Sequence, residues 1–289
     1  MTIFMNNSFI LIATATFLLA SAAGSVGAIS VLKGQALIGD AIGHATYPGI
    51  VLAFMLTQSK NVVVLSLGAT LSGCLVYLII QTLDRYTKLS LNTILSVCLS
   101  SFFGLGMVLK SYVSGNSKFT GASQAGLGNY IFGQASYIRY QDLWLIVGAS
   151  AMAWILFILF YKEIKLYIFD EAYARVIGLK TRYIQVIVML MTMVLISVGL
   201  KLVGAIMIAS LLMIPPIIGV QWSQKFIHVL WISSLAGGVS AVIGTYISTA
   251  YNGMSTGPTI ILVLTSLAFI SLVVGPYSNV TQLRKTRKE

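Results

Sequence analysis

Nine apolar runs dominate this sequence and leave one class of fold open to it. They occupy approximately residues 8–32, 36–56, 62–83, 91–109, 143–161, 184–200, 202–220, 227–248 and 259–275. At 1.5 Å of helical rise per residue, each is long enough to cross a hydrocarbon core of about 30 Å, the shortest only just. Charged residues make up 9% of the 289-residue chain, hydrophobic residues 57%, and mean hydropathy is +0.92. Such a composition cannot wet the surface of a soluble globule. A cytosolic enzyme, a secreted domain and a disordered chain are therefore excluded. The expected fold is an all-α polytopic membrane protein with about nine transmembrane helices, or eight if one run is broken, in a single domain over 1–289. Phe17–Gly24 has the small-residue look of a signal-cleavage region. Met1–Asn7 carries no Lys or Arg, however, and the run continues to Leu32, so a first transmembrane helix is expected.

The net charge of +11 encodes topology rather than a nucleic-acid partner. With the N-terminus outside, the inner connections hold Lys33, Arg85, Lys88, Lys162, Lys165, Arg175, Lys180, Arg182, Lys225, Arg284, Lys285, Arg287 and Lys288. The outer connections hold Lys60, Lys110, Lys118, Arg139 and Lys201. Thirteen against five favours an N-out, C-in multi-pass protein of a bacterial cytoplasmic membrane, with the lipid bilayer as its surroundings and a basic C-terminal tail over 276–289. An even number of crossings would need one run to be re-entrant or broken, and 202–220, with Pro215-Pro216 near its end, is the weakest.

Two connections are long. Residues 110–142 are Gly-rich and aromatic, and Tyr130, Ile131, Phe132 and Tyr137 favour a partly re-entrant or surface-helical stretch over a floppy loop. The second, 162–183, lies on the inner side. There Asp170 can cap a helix, Glu171 suits its first turn, and Gly178 is a plausible stop. A helix of about two turns with an apolar face of Ala172, Tyr173 and Val176 is too short to stand alone and needs a partner surface.

Six of the seven acids lie in connections or at ends, and Asp40 alone lies inside an apolar run. Its placement there costs about 2.5–3.5 kcal/mol on insertion scales. His44 follows at i+4, on the same helix face. The pair can bind a divalent cation, relay protons, or form a structural contact. Gly39 and Gly43 permit close approach of another backbone, and Pro48 frees a carbonyl nearby. Two copies of the chain around this helix would bring four ligands together. His228, beside Trp222 and Lys225, reads as interfacial, as do Tyr246, Tyr251 and Asn252. The 11 Met and the thiols of Cys74 and Cys98 read as core. The chain has no Gly-Lys dipeptide and therefore no phosphate-binding loop of its own.

Four stretches resemble the ABC-3 family, the permease subunits of bacterial manganese, zinc and iron ABC importers. These are VLKGQALIGDAIGHATYPG ending at Gly49, FDEAYARVIGL over 169–179, VGAIMIASLLMIPPIIG over 203–219, and Tyr251–Leu262 with Ser255-Thr256-Gly257-Pro258. The chain departs from the family at Lys33-Gly34, Gly43 and Pro216. The resemblance implies a type II importer fold, like that of the vitamin B12 permease. It implies a homodimer, or a pairing with a close paralogue, and a separate cytoplasmic ATPase, so this chain itself would not be an enzyme. An extracellular metal-binding protein would deliver Mn²⁺, Zn²⁺ or Fe²⁺ as substrate, with no permanently bound cofactor. Asp40 and His44 would handle the ion, with Gly39, Gly43 and Pro48 packing around its path. Asp170, Glu171, Ala172, Tyr173, Ala174, Arg175 and Gly178 would couple to the ATPase. Three rivals are a proton-coupled secondary metal transporter using Asp40 as relay, a membrane-embedded enzyme, and an importer of a metal chelate.

Overall fold

The computed structural model describes residues 7–59, 61–119, 140–251 and 254–278. Among them every regular element is helical, as expected of a chain that must satisfy its backbone polar groups without water. The α-helices are α1 (Asn7–Leu32), α2 (Ile38–Ala45), α3 (Tyr47–Thr57), α4 (Val62–Tyr86), α5 (Leu91–Gly115), α6 (Tyr140–Leu159), α7 (Tyr161–Phe169), α8 (Glu171–Val176), α9 (Thr181–Trp222), α10 (Phe226–Ala250) and α11 (Thr256–Val274). Eight stretches among the described residues are long and apolar enough to cross a membrane. They are α1, α4, α5, α6, both halves of α9, α10 and α11. Their outer faces are apolar too: Leu71, Val108 and Trp144 are 71, 70 and 74% exposed. Such a surface is stable only against lipid or protein.

The helices form two compact units. In the first, α1 packs most extensively on α10 and then on α6, and α10 packs on α11. Small residues allow this. A Cβ at Gly24 would lie 2.6 Å from the Ser233 carbonyl oxygen, and one at Gly237 would lie 2.7 Å from that of Ala20. Without a hydrophobic force between helices in lipid, such close backbone contact supplies the dispersion energy. Polar pairs tie these helices and the end of α9: Thr16 to Thr245 at 3.3 Å, Trp154 Nε1 to Ser25 Oγ at 3.3 Å, and Trp222 Nε1 to Ser271 Oγ at 2.8 Å. The second unit comprises the described residues within 37–119 together with 196–209, with α3 and α2 packed on α4 and α5.

Four features differ from the sequence reading. The run over 36–56 is the divided one, split into α2 and α3 at Thr46. Residues 203–222 remain a full-length span, and Pro215 and Pro216 leave it helical. The non-helical residue of α9 is Gly204 (φ 83°), whose left-handed backbone is open to glycine. Proline's fixed φ is itself helical, so the helix carries both prolines although they remove two backbone donors and crowd the carbonyls four residues back. Second, Asp142 lies in the first turn of α6 and is 5% exposed. A carboxylate is favoured there by the helix dipole. Third, the 162–183 connection holds two helices, α7 and α8, because Asp170 interrupts the helix begun at Tyr161. Fourth, α5 runs on to Gly115 and Ser117–Phe119 forms a 3₁₀ turn. The readings of Tyr130, Ile131, Phe132, Tyr137 and Asn252, and of the basic tail beyond 278, lie outside the described residues.

Candidate functional site

The division of α2 from α3 sets the geometry around Asp40 and His44. Pro48 has no N–H to offer the His44 carbonyl four residues back, so the helix ladder is interrupted there. Side chains take up neighbouring carbonyls. Thr46 Oγ1 donates to Gly43 O at 2.6 Å, and Ser72 Oγ of α4 donates to Ala45 O at 2.7 Å. The backbone at Thr46 itself stays helical (φ −73°, ψ −22°), and these hydroxyls bond the carbonyls on either side of the one that Pro48 leaves without its ladder partner. On α5, Phe103 meets the His44 ring edge to face at 5.1 Å and also lies 6.3 Å from the Tyr47 ring. Gly106 makes room for Tyr47, since a Cβ there would sit 2.7 Å from Tyr47 Cδ1. The junction is therefore held by α4 and α5.

On α2, His44 Nε2 lies 3.4 Å from Asp40 Oδ1, and the two side chains are 18% and 38% exposed. Two donors each about 2.0–2.1 Å from one ion at the tetrahedral angle stand about 3.4 Å apart. The pair thus has the bite of a chelate. His44 Nδ1 is buried without a hydrogen-bond partner. Among the described residues, no three or more His, Cys, Asp or Glu side chains gather into a metal-holding group. Asp40 and His44 therefore stand as a pair, without a third such side chain beside them among the described residues. Gly39 and Gly43 are buried, and a Cβ at Gly43 would meet only Ala205 O, at 3.8 Å. The tight backbone contact in this unit is between Gly49 and Gly68.

The second candidate region is α8. Asp170 caps it by accepting from Tyr173 N at 2.8 Å. Gly178, at φ 84°, ends it, with Leu179 N bonded to Ala174 O at 2.9 Å. Ala174 is buried, whereas Tyr173, Val176 and Ile177 are 54, 84 and 52% exposed and Ala172 is also exposed. The apolar face anticipated from sequence thus points away from the protein's own core. Glu171 is held by two cations. Lys33 Nζ lies 2.6 Å from its Oε2, and Arg175 bonds its Oε1 one turn on. Burial raises the Glu171 pKa, but hydrogen bonds from Lys33 and Arg175, aided by their charges, outweigh this and hold it below the ordinary carboxylate value.

A model of the ABC 3 transport family matches residues 4–275. The chain belongs to that family. Among its curated relatives is the manganese transport system membrane protein MntC of Bacillus subtilis, 37% identical over 90% of this chain. This chain spans 59% of that relative's length. The zinc transport system membrane protein TroC of Treponema pallidum is 36% identical, with 94% of this chain and 91% of TroC covered. In fold, the chain is similar to a chain of PsaBC from Streptococcus pneumoniae, solved in complex with Fab. The TM-score is 0.82 and the identity 24%, with 96% of each chain covered. The ABC 3 membership agrees with the all-helical, membrane-spanning permease fold.

Sequence reasoning singled out Asp40, His44 and the α8 residues as candidates, and missed the side chains that pack on them. Phe103 and Ser72 carry no signal in their own stretches. Lys33 is visible as an inner-side charge, but nothing in the spacing joins it to Glu171, 138 positions away.

Proposed function

We propose that this chain is the membrane permease subunit of an ATP-binding-cassette importer that moves a divalent transition-metal cation, Mn²⁺, Zn²⁺ or Fe²⁺, into the cell. The observation that carries the reading is the 3.4 Å Asp40–His44 pair beside the α2–α3 junction. Asp40 offsets the cation's charge and His44 contributes a nitrogen. Two copies, or this chain and a close paralogue, supply four ligands. An open, weakly held set of this kind suits passage, because a closed cage would trap the ion. Naming of the relatives for manganese and zinc supports this cargo class.

The chain carries no ATP site of its own in this reading. A separate cytoplasmic ATPase receives the exposed apolar face of α8, and an extracellular metal-binding protein delivers the ion. The protein lies in the bacterial cytoplasmic membrane with its N-terminus outside and C-terminus inside, as the thirteen-to-five distribution of basic residues favours, and this requires the divided α2–α3 run to cross as a ninth segment beside the eight full-length spans. A proton-coupled carrier is not favoured, because it gives no role to the exposed α8 face and does not fit ABC 3 family membership.

The test is uptake of radiolabelled Mn²⁺ and Zn²⁺ into liposomes holding the assembled complex. Asp40→Ala and His44→Ala should each reduce uptake by at least about tenfold, since loss of even an outer-shell partner of a metal ligand costs about 10–100-fold. Size-exclusion chromatography confirms assembly. Uptake at the wild-type rate by assembled Asp40→Ala would refute the role.

A further inference from the structure

We propose that Lys33 is a positioning residue that passes displacement of α8 to the end of α1 and to the chain leading into α2. The inference rests on the permease reading above and identifies its mechanical link. Three helix termini converge on the one ammonium. Lys33 itself stands directly after α1, where Gly34 (φ 75°) turns the chain and Gln35 N closes on Ser30 O at 2.8 Å. Its Nζ donates to the Tyr167 carbonyl in the last turn of α7 at 3.0 Å. The same Nζ donates to Glu171, the first residue of α8, at 2.6 Å, and it lies 3.8 Å from the centroid of the Tyr167 ring.

Each contact suits a cation. The ends of α1 and α7 carry the partial negative charge of helix C-termini, and the Tyr167 carbonyl lies in the last turn, where carbonyls lack helix partners. The aromatic face adds cation–π attraction. Lys33 is 17% exposed, whereas Arg175, the other cation on Glu171, is 67% exposed. Lys33 is therefore the fixed partner and Arg175 the solvated one.

The six residues of α8 have little else to hold them. Only Ala174 is buried, and α8 packs chiefly on its sequence neighbour α7. A force applied to the exposed Tyr173 and Val176 face therefore leaves α8 through its backbone ends and through the Glu171–Lys33 bridge. From Lys33 the chain runs through four residues, Gly34–Leu37, to the start of α2, the helix that bears Asp40 and His44. A bridge made only for stability would fix α8 equally well, so the readout must separate transmission from folding.

The experiment reconstitutes the full complex of permease, ATPase and binding protein in liposomes and measures Mn²⁺ taken up per ATP hydrolysed. Lys33→Met keeps the apolar stem and removes the ammonium. It should leave ATP hydrolysis within about twofold of wild type and lower uptake per ATP by about tenfold, within the range of couplings between sites. Lys33→Arg, which restores a cation, should recover most of the ratio. Wild-type uptake per ATP in Lys33→Met overturns the proposal. If Lys33→Met does not assemble, Glu171→Gln decides: the ratio should fall, and an unchanged ratio overturns the proposal. Absence of ATP-dependent Mn²⁺ uptake in the wild-type complex would overturn the permease reading itself. Normal wild-type uptake with an unchanged Lys33→Met ratio overturns only the role of Lys33.

Discussion

Replacing Gly49 with alanine probes the contact that supports the α2–α3 junction. A Cβ at position 49 would lie 2.1 Å from Gly68 O and 2.5 Å from Ser72 Cβ, whereas ordinary contact begins at 3.4 Å. The α3–α4 backbones must therefore separate by 3.4 − 2.1 = 1.3 Å. The obstructing oxygen belongs to a helix backbone and cannot rotate away. Overpacking of this kind costs about 1–3 kcal/mol, and a rigid obstacle places it at the upper end. Separation also strains the Ser72–Ala45 hydrogen bond, which contributes about 0.5–1.5 kcal/mol. The gain in helix propensity from glycine to alanine returns about 1 kcal/mol. The net loss is about 1.5–3.5 kcal/mol. At roughly 2–4 °C per kcal/mol for a protein of this size, the melting temperature of the detergent-solubilised permease should fall by about 3–14 °C. Gly104→Ala is the control, because nothing lies within 4 Å of a Cβ there, and it should melt at or above wild type. Gly68→Ala meets Gly49 O at 2.5 Å and should destabilise less. Combined with Gly49→Ala it should cost less than the sum, since both open the same gap. If Gly49→Ala melts with Gly104→Ala, the backbone contact drawn here is wrong.

Two further outcomes follow from α8. Because the folded Glu171 pKa is lowered, the bridge contributes stability that is fully present above the unfolded carboxylate value and is lost as pH falls through the folded one. Hydrogen exchange of the α8 amides, corrected for its intrinsic pH dependence, should hold constant from neutral pH down to the ordinary carboxylate range and rise only below it. A rise already above that range would contradict the assignment. Gly178→Ala forces a left-handed backbone on a residue with a Cβ, at a cost of about 1–2 kcal/mol. It should fray the end of α8 and weaken co-purification of the ATPase, with Gly178→Asn less affected; equal behaviour of both variants and wild type would show that the turn is not limiting.

The apolar periodless runs, the scarcity of charge and the placement of basic residues were enough to specify a polytopic helical membrane protein. Those features work through transfer free energy, which depends on composition summed along a segment and hardly at all on what the segment touches. The same logic singled out Asp40, since an acid in an apolar run is costly wherever the helix packs. Spacing then placed His44 on its face. The capping residues of α8 were legible for a similar reason: Asp170 and Gly178 act on backbone groups within a few positions of themselves.

What the sequence could not decide is how the backbone is satisfied where the ladder fails. Pro48 and the pair Pro215-Pro216 offer the same local signal, yet only the first lies at a helix break. Ser72 and Thr46 take up carbonyls beside the first, and the contact between Gly49 and Gly68 seats α3 on α4. The apolar face of α8 was visible, but its direction was not, because burial depends on which neighbours arrive. Lys33 shows the difference most plainly. By composition it was one positive charge among eighteen, and only folding brought it against Tyr167 and Glu171. Local chemistry and hydropathy act within a segment and can be read from it, whereas a bridge across 138 positions depends on the three-dimensional path of the chain between them.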